Sequence, residues 1–213
     1  MVKDTLESKV PREYARDASA VPGIDLGMRA SSKVMNSLTL TLENDQARLA
    51  TNAANYDAAH KETLSGTDQW KHASSKPTAI ISEARQAIRS SCGMYPNVMV
   101  LGPVAYAALK DNEYITNRFR NVDIVTADML AKLFELDQVV EGRAVVADDA
   151  GAFSDVWGNY AVLAYAPAKP GGQEEPSYGY TYTMTGHPFV ETPYWEPNVK
   201  SWIYGVTCER QPV

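Results

Sequence analysis

The chain has 213 residues, of which 45% are hydrophobic and 22% charged, a balance that suits a folded core and excludes a disordered or fibrous polypeptide. Its net charge is −6, and its 20 Lys and Arg are scattered rather than gathered into the basic patch that gripping nucleic acid as a main task requires. No stretch approaches the roughly 18 unbroken apolar residues of a membrane span, and the opening "MVKDTLESKV" lacks the apolar run of a secretory signal.

Residues 1–30 are polar, carry Pro11, Pro22 and Gly23, and show no sustained period, so an extended arm or loop is expected. In 31–53, Val34, Leu38 and Leu42 recur every fourth residue, with Leu49 near the same face. A Ser-rich start suits an N-cap, and a helix is expected although "LTLTL" alone would also suit a strand. Residues 56–75 read as a loop. The clearest helix follows. Pro77 stands where a first turn needs no amide donor, Ile80, Ile81, Ala84, Ala87, Ile88 and Ser91 make one face, and Gly93 is the expected left-handed residue at its end.

"PNVMVLG" (96–102) predicts a short buried strand, and Pro103 opens a further helix. A polar helical turn is expected around Tyr114–Arg120. Thr126 predicts the start of a helix to 136, with Met129, Leu130, Leu133 and Phe134 on one side. Residues 138–148 predict one strand, followed by a loop through "DAGAFSDVWG". Tyr160–Ala166 predicts another strand, broken by Pro167, Pro170, Gly171 and Gly172. Tyr178, Tyr180 and Tyr182 then alternate with Gly179, Thr181 and Thr183, the period of a strand. "GHPFVETPYWEPN" (186–198) reads as a connection, and 199–210 as a closing strand with Trp202, Tyr204, Val206 and Cys208 on one face. Helices first, then mixed elements, then strands, with no regular βαβ repeat, predict an α+β fold.

No chemistry-bearing pattern emerges. His60, His72 and His187 lie in separate segments without the H-E-x-x-H spacing that places two imidazoles around zinc, and no metal or cofactor is expected. Ser91 and Cys92 precede Gly93, but no G-x-S-x-G occurs, and Cys92 falls on or beside the buried face of its helix, which predicts packing rather than reactivity. Cys92 and Cys208 are read as two buried free thiols in a reducing compartment such as a cytoplasm. The acidic stretch "DDAGAFSD" lacks the alternating oxygen ligands and closing Glu of a calcium loop. The 12 Tyr and 4 Trp are concentrated in the last third. Tyr178, Tyr180, Phe189, Tyr194, Trp195 and Trp202 are the candidates for contacts between chains, because such side chains combine large contact area with a polar tip.

The order of segments carries a resemblance. "AHKETLSGTDQW", "KPTAIISEARQAIRSSCG", "YPNVMVLGPVAYAALKDN", "VTADMLAKLFELDQVVEGRAVV", "DVWGNYAVLAYAP" and "PSYGYTYTM", over about residues 10–210, resemble the major capsid proteins of tailed bacteriophages with the Hong Kong 97-like fold. The resemblance implies part of an extended loop in 1–30, a peripheral domain in 31–96 with its long spine helix at 77–92, an axial domain in 97–170, and a return to the peripheral domain in 171–213. It implies a subunit that forms pentamers and hexamers around double-stranded DNA, held in the virion and assembled in the host cytoplasm. Its partners would be copies of itself, with scaffold, portal or decoration proteins, and DNA only by weak contact. Family members usually carry an N-terminal arm and a complete extended loop before the region that "VPREYARDASAVPG" resembles, so the resemblance implies that this chain starts almost inside that loop. A bacterial encapsulin shell is the alternative within the fold; a small hydrolase or transferase is the alternative outside it.

Overall fold

A computed structural model describes residues 1–21, 23–119, 124–167 and 175–213. It is a mixture of helices and sheets, α+β as expected, and its contacts divide it into two compact units: residues 1–46 with 180–213, and residues 47–179.

The first unit is organised by its last strand. Strand β1 (Val2–Pro11) is followed by helix α1 (Arg12–Ser19) and by α2 (Leu26–Thr51), whose final residues belong to the second unit. At the other end of the chain come β7 (Thr181–Thr183), β8 (Phe189–Val190), β9 (Tyr194–Glu196) and β10 (Ser201–Pro212). β1 runs antiparallel to β10 along its whole length, from Val2 opposite Arg210 to Pro11 opposite Ser201. β7, β8 and β9 take successive pieces of the opposite edge. Val34 and Leu38, one turn apart on α2, bury themselves against Val206 and Cys208, two residues apart on β10. The Arg210 guanidinium donates to the carbonyl of Leu38. Gly27 admits the Tyr204 ring so closely that a Cβ there would meet its hydroxyl at 2.6 Å.

The arm expected over 1–30 is therefore largely ordered, and residues 2–11 are a strand. Most of its side chains are exposed, which is why its sequence shows no apolar period; its backbone partners lie about 200 residues away. The helix expected over 31–53 begins earlier, at Leu26, where Asp25 Oδ1 accepts from the Met28 N–H at 2.9 Å. Leu49 is exposed although it falls on the Val34–Leu38 side of α2, whereas Ala47 and Ala50, on another side of the helix, are buried.

The second unit is built on the three-stranded sheet β3-β2-β6, in which β2 (Val98–Leu101) pairs parallel with β3 (Gln138–Glu141) and antiparallel with β6 (Ala161–Ala164). The parallel pair is joined through α4 (Pro103–Asp111), α5 (Glu113–Thr116) and α6 (Ala127–Leu133). Met99 and Leu101, alternate residues of β2, point into a core with Ile81, Leu109, Ile115, Leu130, Phe134 and Val139. Asn112 is buried with both ends of its amide bonded: Nδ2 donates to the Trp70 carbonyl at 2.8 Å, and Oδ1 caps α5 by accepting from Tyr114 and Ile115.

Helix α3 (Pro77–Cys92) has the bounds its sequence predicts, with Pro77 in the first turn and Gly93 left-handed at φ 77°. Its Ile81 packs in the same core as β2, so α3 lies in the unit of residues 47–179. Cys92 is exposed, contrary to expectation, because the helix has run past the core by its last turn; Cys208 is buried as expected. Thr126 stands at the N-cap of α6 without donating or accepting a side-chain capping bond.

The single strand expected over 138–148 is two. At Gly142, whose N–H donates to Leu101 O at 2.8 Å, the chain leaves the sheet, and β4 (Val145–Ala147) pairs with β5 (Phe153–Asp155) in a separate hairpin. Strand thus replaces the loop expected at 153–155. The tyrosine alternation at 178–183 forms a strand only from Thr181, and the connection 186–198 contains β8 and β9. Pro22, Arg120 and the Pro170–Gly171–Gly172 break lie outside the described residues.

Candidate interaction surface

Five of the six aromatic candidates belong to the first unit and Tyr178 to the second. Trp195 and Trp202 are directly opposite across β9 and β10, with rings 5.8 Å apart edge to face. Trp202 is 40% exposed, and Tyr194 beside it is 44% exposed, its hydroxyl donating to Glu7 Oε1 at 3.3 Å. Phe189, on β8 opposite Thr207, is 54% exposed with Val190 next to it. These four lie along one edge of β10. Tyr180 is tied by two backbone hydrogen bonds to Val213. Tyr178 belongs to the second unit, where its phenol meets that of Tyr56; burial, then that hydroxyl, push its pKa up.

Another aromatic surface was not legible as such. On the β4–β5 hairpin all six strand residues are exposed, and Phe153 at 77% is the most exposed aromatic side chain of the described residues. The sequence signal was present, an apolar Phe153 among Asp and Gly, but it reads equally as a loop until pairing with Ala147 is known.

The sequence also gave no sign of a contact across 31 residues. Asp57 Oδ1 lies 2.7 Å from His60 Nδ1, and His60 Nε2 lies 3.1 Å from Ser91 Oγ. His60 holds the Asp57 carboxyl below its ordinary value, chiefly through that hydrogen bond. The order carboxylate, imidazole, hydroxyl has the form of a nucleophilic triad, but its surroundings differ. Ser91 sits in the last turn of α3 and donates to Ile88 O at 2.8 Å, and that helix end presents carbonyl oxygens, the wrong polarity for an oxyanion. What the arrangement does is tie the 53–76 segment to α3, with Asp57 also accepting from the N–H groups of Ala59 and His60. Among the described residues no cluster of three His, Cys, Asp or Glu could hold a metal, and no helix is long and apolar enough to cross a membrane. In the "DDAGAFSD" stretch, Asp148 turns its carboxylate onto the N–H groups of Ala150 and Ala152, closing its own loop.

With neither surface pointing to a small ligand, comparison with known proteins decides the matter. The profile of the family described as phage major capsid protein E matches residues 40–196. The chain belongs to that family. It is 37% identical over 199 residues to the major capsid protein of Burkholderia phage BcepMu, covering 90% of this chain and 64% of that protein. It is 29% identical over 119 residues to the major capsid protein of Pseudomonas phage JBD67, covering 54% of this chain and 37% of that one. A crystal structure of a phage-related protein from Bordetella bronchiseptica RB50 matches with 44% identity and a TM-score of 0.89, over all of this chain and 71% of that one. This capsid-family chain therefore spans less than two thirds of the length of the curated relatives it matches.

Proposed function

We propose that this chain is a structural subunit of a phage head, a shell protein that associates with copies of itself into pentamers and hexamers around double-stranded DNA. The family match over residues 40–196 carries the reading. Exposed apolar side chains on both units support it: Trp202, Phe189 and Val190 on one, Phe153 on the other. In a closed shell each modest contact is repeated by symmetry, so weak individual interfaces suffice.

Within this reading the fold is Hong Kong 97-like. The unit of residues 1–46 and 180–213 takes the peripheral role, because it contains the long final strand, and 47–179 takes the axial role. The spine helix is then α2 rather than 77–92: α2 has 26 residues against 16 for α3, and it is α2 that packs on β10. Residues 1–30 end an extended loop whose strand β1 joins the peripheral sheet. The subunit would assemble in the host cytoplasm and reside in the virion, where scaffold, portal or decoration proteins meet its surface.

Light scattering on the purified chain, with negative-stain images of the same sample, tests the reading. Rings of five or six subunits, or particles of megadalton mass, are expected. A monomer of 23.4 kDa at every concentration would overturn self-association.

A further inference from the structure

We propose that the β4–β5 hairpin of one copy docks on a patch formed by Arg89, Met94 and Tyr95 of the next copy, head to tail. The inference rests on the shell-subunit reading and names one of its contacts.

The hairpin is built to meet something. A two-stranded ribbon with both faces wet is marginal by itself, and this one pairs with no further strand among the described residues. Residues directly opposite in an antiparallel pair share a face, so Val145, Ala147, Phe153 and Asp155 stand together. That face is apolar with an acid at its edge. The segment 145–155 contains Asp148, Asp149 and Asp155 and no Lys or Arg. Its tip is preformed by the Asp148 bonds, and its base is held by the Val156 N–H on Ala144 O at 2.9 Å. Little ordering entropy remains to be lost on docking.

The receiving patch has the complementary character. Met94 and Tyr95 are 40% and 43% exposed just beyond α3. The Tyr95 ring is fixed by Gln86 Nε2, which donates to its hydroxyl at 3.2 Å, and the Arg85 and Arg89 guanidiniums lie 5.2 and 5.1 Å from its centroid. Arg85 is neutralised by Glu135 at 2.7 Å, whereas Arg89 forms no ion pair among the described residues. A held aromatic ring beside an unneutralised cation matches an apolar face edged with carboxylates.

Strand register sets these two surfaces apart. β2 and β3 are parallel, Val98 opposite Gln138 and Leu101 opposite Glu141. Met94 and Tyr95 precede the start of β2, and the hairpin follows the end of β3, so the surfaces lie at opposite ends of one sheet, about 13 Å of strand apart. Complementary surfaces at opposite ends make a heterologous contact, the kind that closes into rings.

Cross-linking of the full chain reads the contact directly. Cys92 is exposed beside the patch and Cys208 is buried, so Ala152→Cys adds one reactive thiol next to Phe153 while leaving that ring in place. With a short bismaleimide, A152C is expected to give a ladder of covalent species beyond dimer that the wild type lacks. Adding Cys92→Ala should abolish the ladder. Arg89→Glu should lower its yield several-fold, and Asp155→Lys in the same chain should restore it. Dimers that persist without Cys92 would mean that hairpins meet each other, which overturns the head-to-tail contact. No cross-link from A152C, when light scattering shows the wild type assembled, overturns the contact and leaves the shell reading standing. No cross-link and a monomeric wild type overturn both.

Discussion

Gly102 ends β2 at a point where a single methyl group cannot fit. A Cβ there would lie 2.0 Å from the Gly158 carbonyl oxygen, a backbone atom that cannot swing aside, while the Gly102 N–H donates to Tyr160 O at 2.8 Å. Gly102→Ala is expected to cost about 1–3 kcal/mol or more by forcing the two segments apart, measured as a lower urea midpoint. The Asp57 carboxyl, held low by His60, predicts a pH effect of definite sign. Folded Asp57 takes its proton less readily than unfolded Asp57, so its stabilisation is present above the ordinary value of 3.8 and is lost as pH falls through the folded value. In Asp57→Asn, which keeps an acceptor for Ala59 and His60, the melting temperature should fall less steeply than wild type on acidification through and below 3.8. Equal slopes would show that the pair adds nothing.

Elements differ in how much of them is local. α3 carries its own start and stop, Pro77 and Gly93, and its bounds could be read from the sequence because a proline in the first turn and a left-handed glycine act within one turn of the chain. β1 carries no such signal. Its residues are mostly exposed, and what makes it a strand is a ladder to β10 at the other end of the chain. The β9–β10 pair offers a direct measure of cross-strand packing. A double-mutant cycle on Trp195→Ala and Trp202→Ala should return a coupling of about 0.5–1.5 kcal/mol for the edge-to-face rings. Additive losses would mean that each ring packs on the sheet independently of the other.

At the scale of the molecule, charge sets the relation to nucleic acid. With a net charge of −6 and no basic cluster, the subunit should bind duplex DNA weakly. The salt dependence of binding should correspond to no more than about two or three neutralised phosphates, read from the slope of log Kobs against log salt. A slope equivalent to roughly six or more would reveal a basic surface made by assembly of residues scattered in sequence. The candidate contacts were legible to different degrees for a related reason. Trp195 announces itself as a large aromatic in a Pro-rich stretch and Trp202 as one in the closing strand, but that they face each other is decided by register. Phe153 and the Asp57–His60–Ser91 contact were not legible, because one needed a hairpin and the other a contact across 31 residues.

By itself the sequence determined the α+β class, the span of α3, the buried strand before Pro103 and, through the order of its segments, the capsid family. These rest on short-range periodicity, on proline and glycine geometry, and on residue order, all of which are written along the chain. Tertiary structure alone decided that the first residues are a strand, that 138–148 leaves its sheet at Gly142, that Cys92 is exposed while Cys208 is buried, and which helix packs on β10. Each of these depends on a partner far away in sequence, and burial and strand pairing are properties of the pair rather than of either segment.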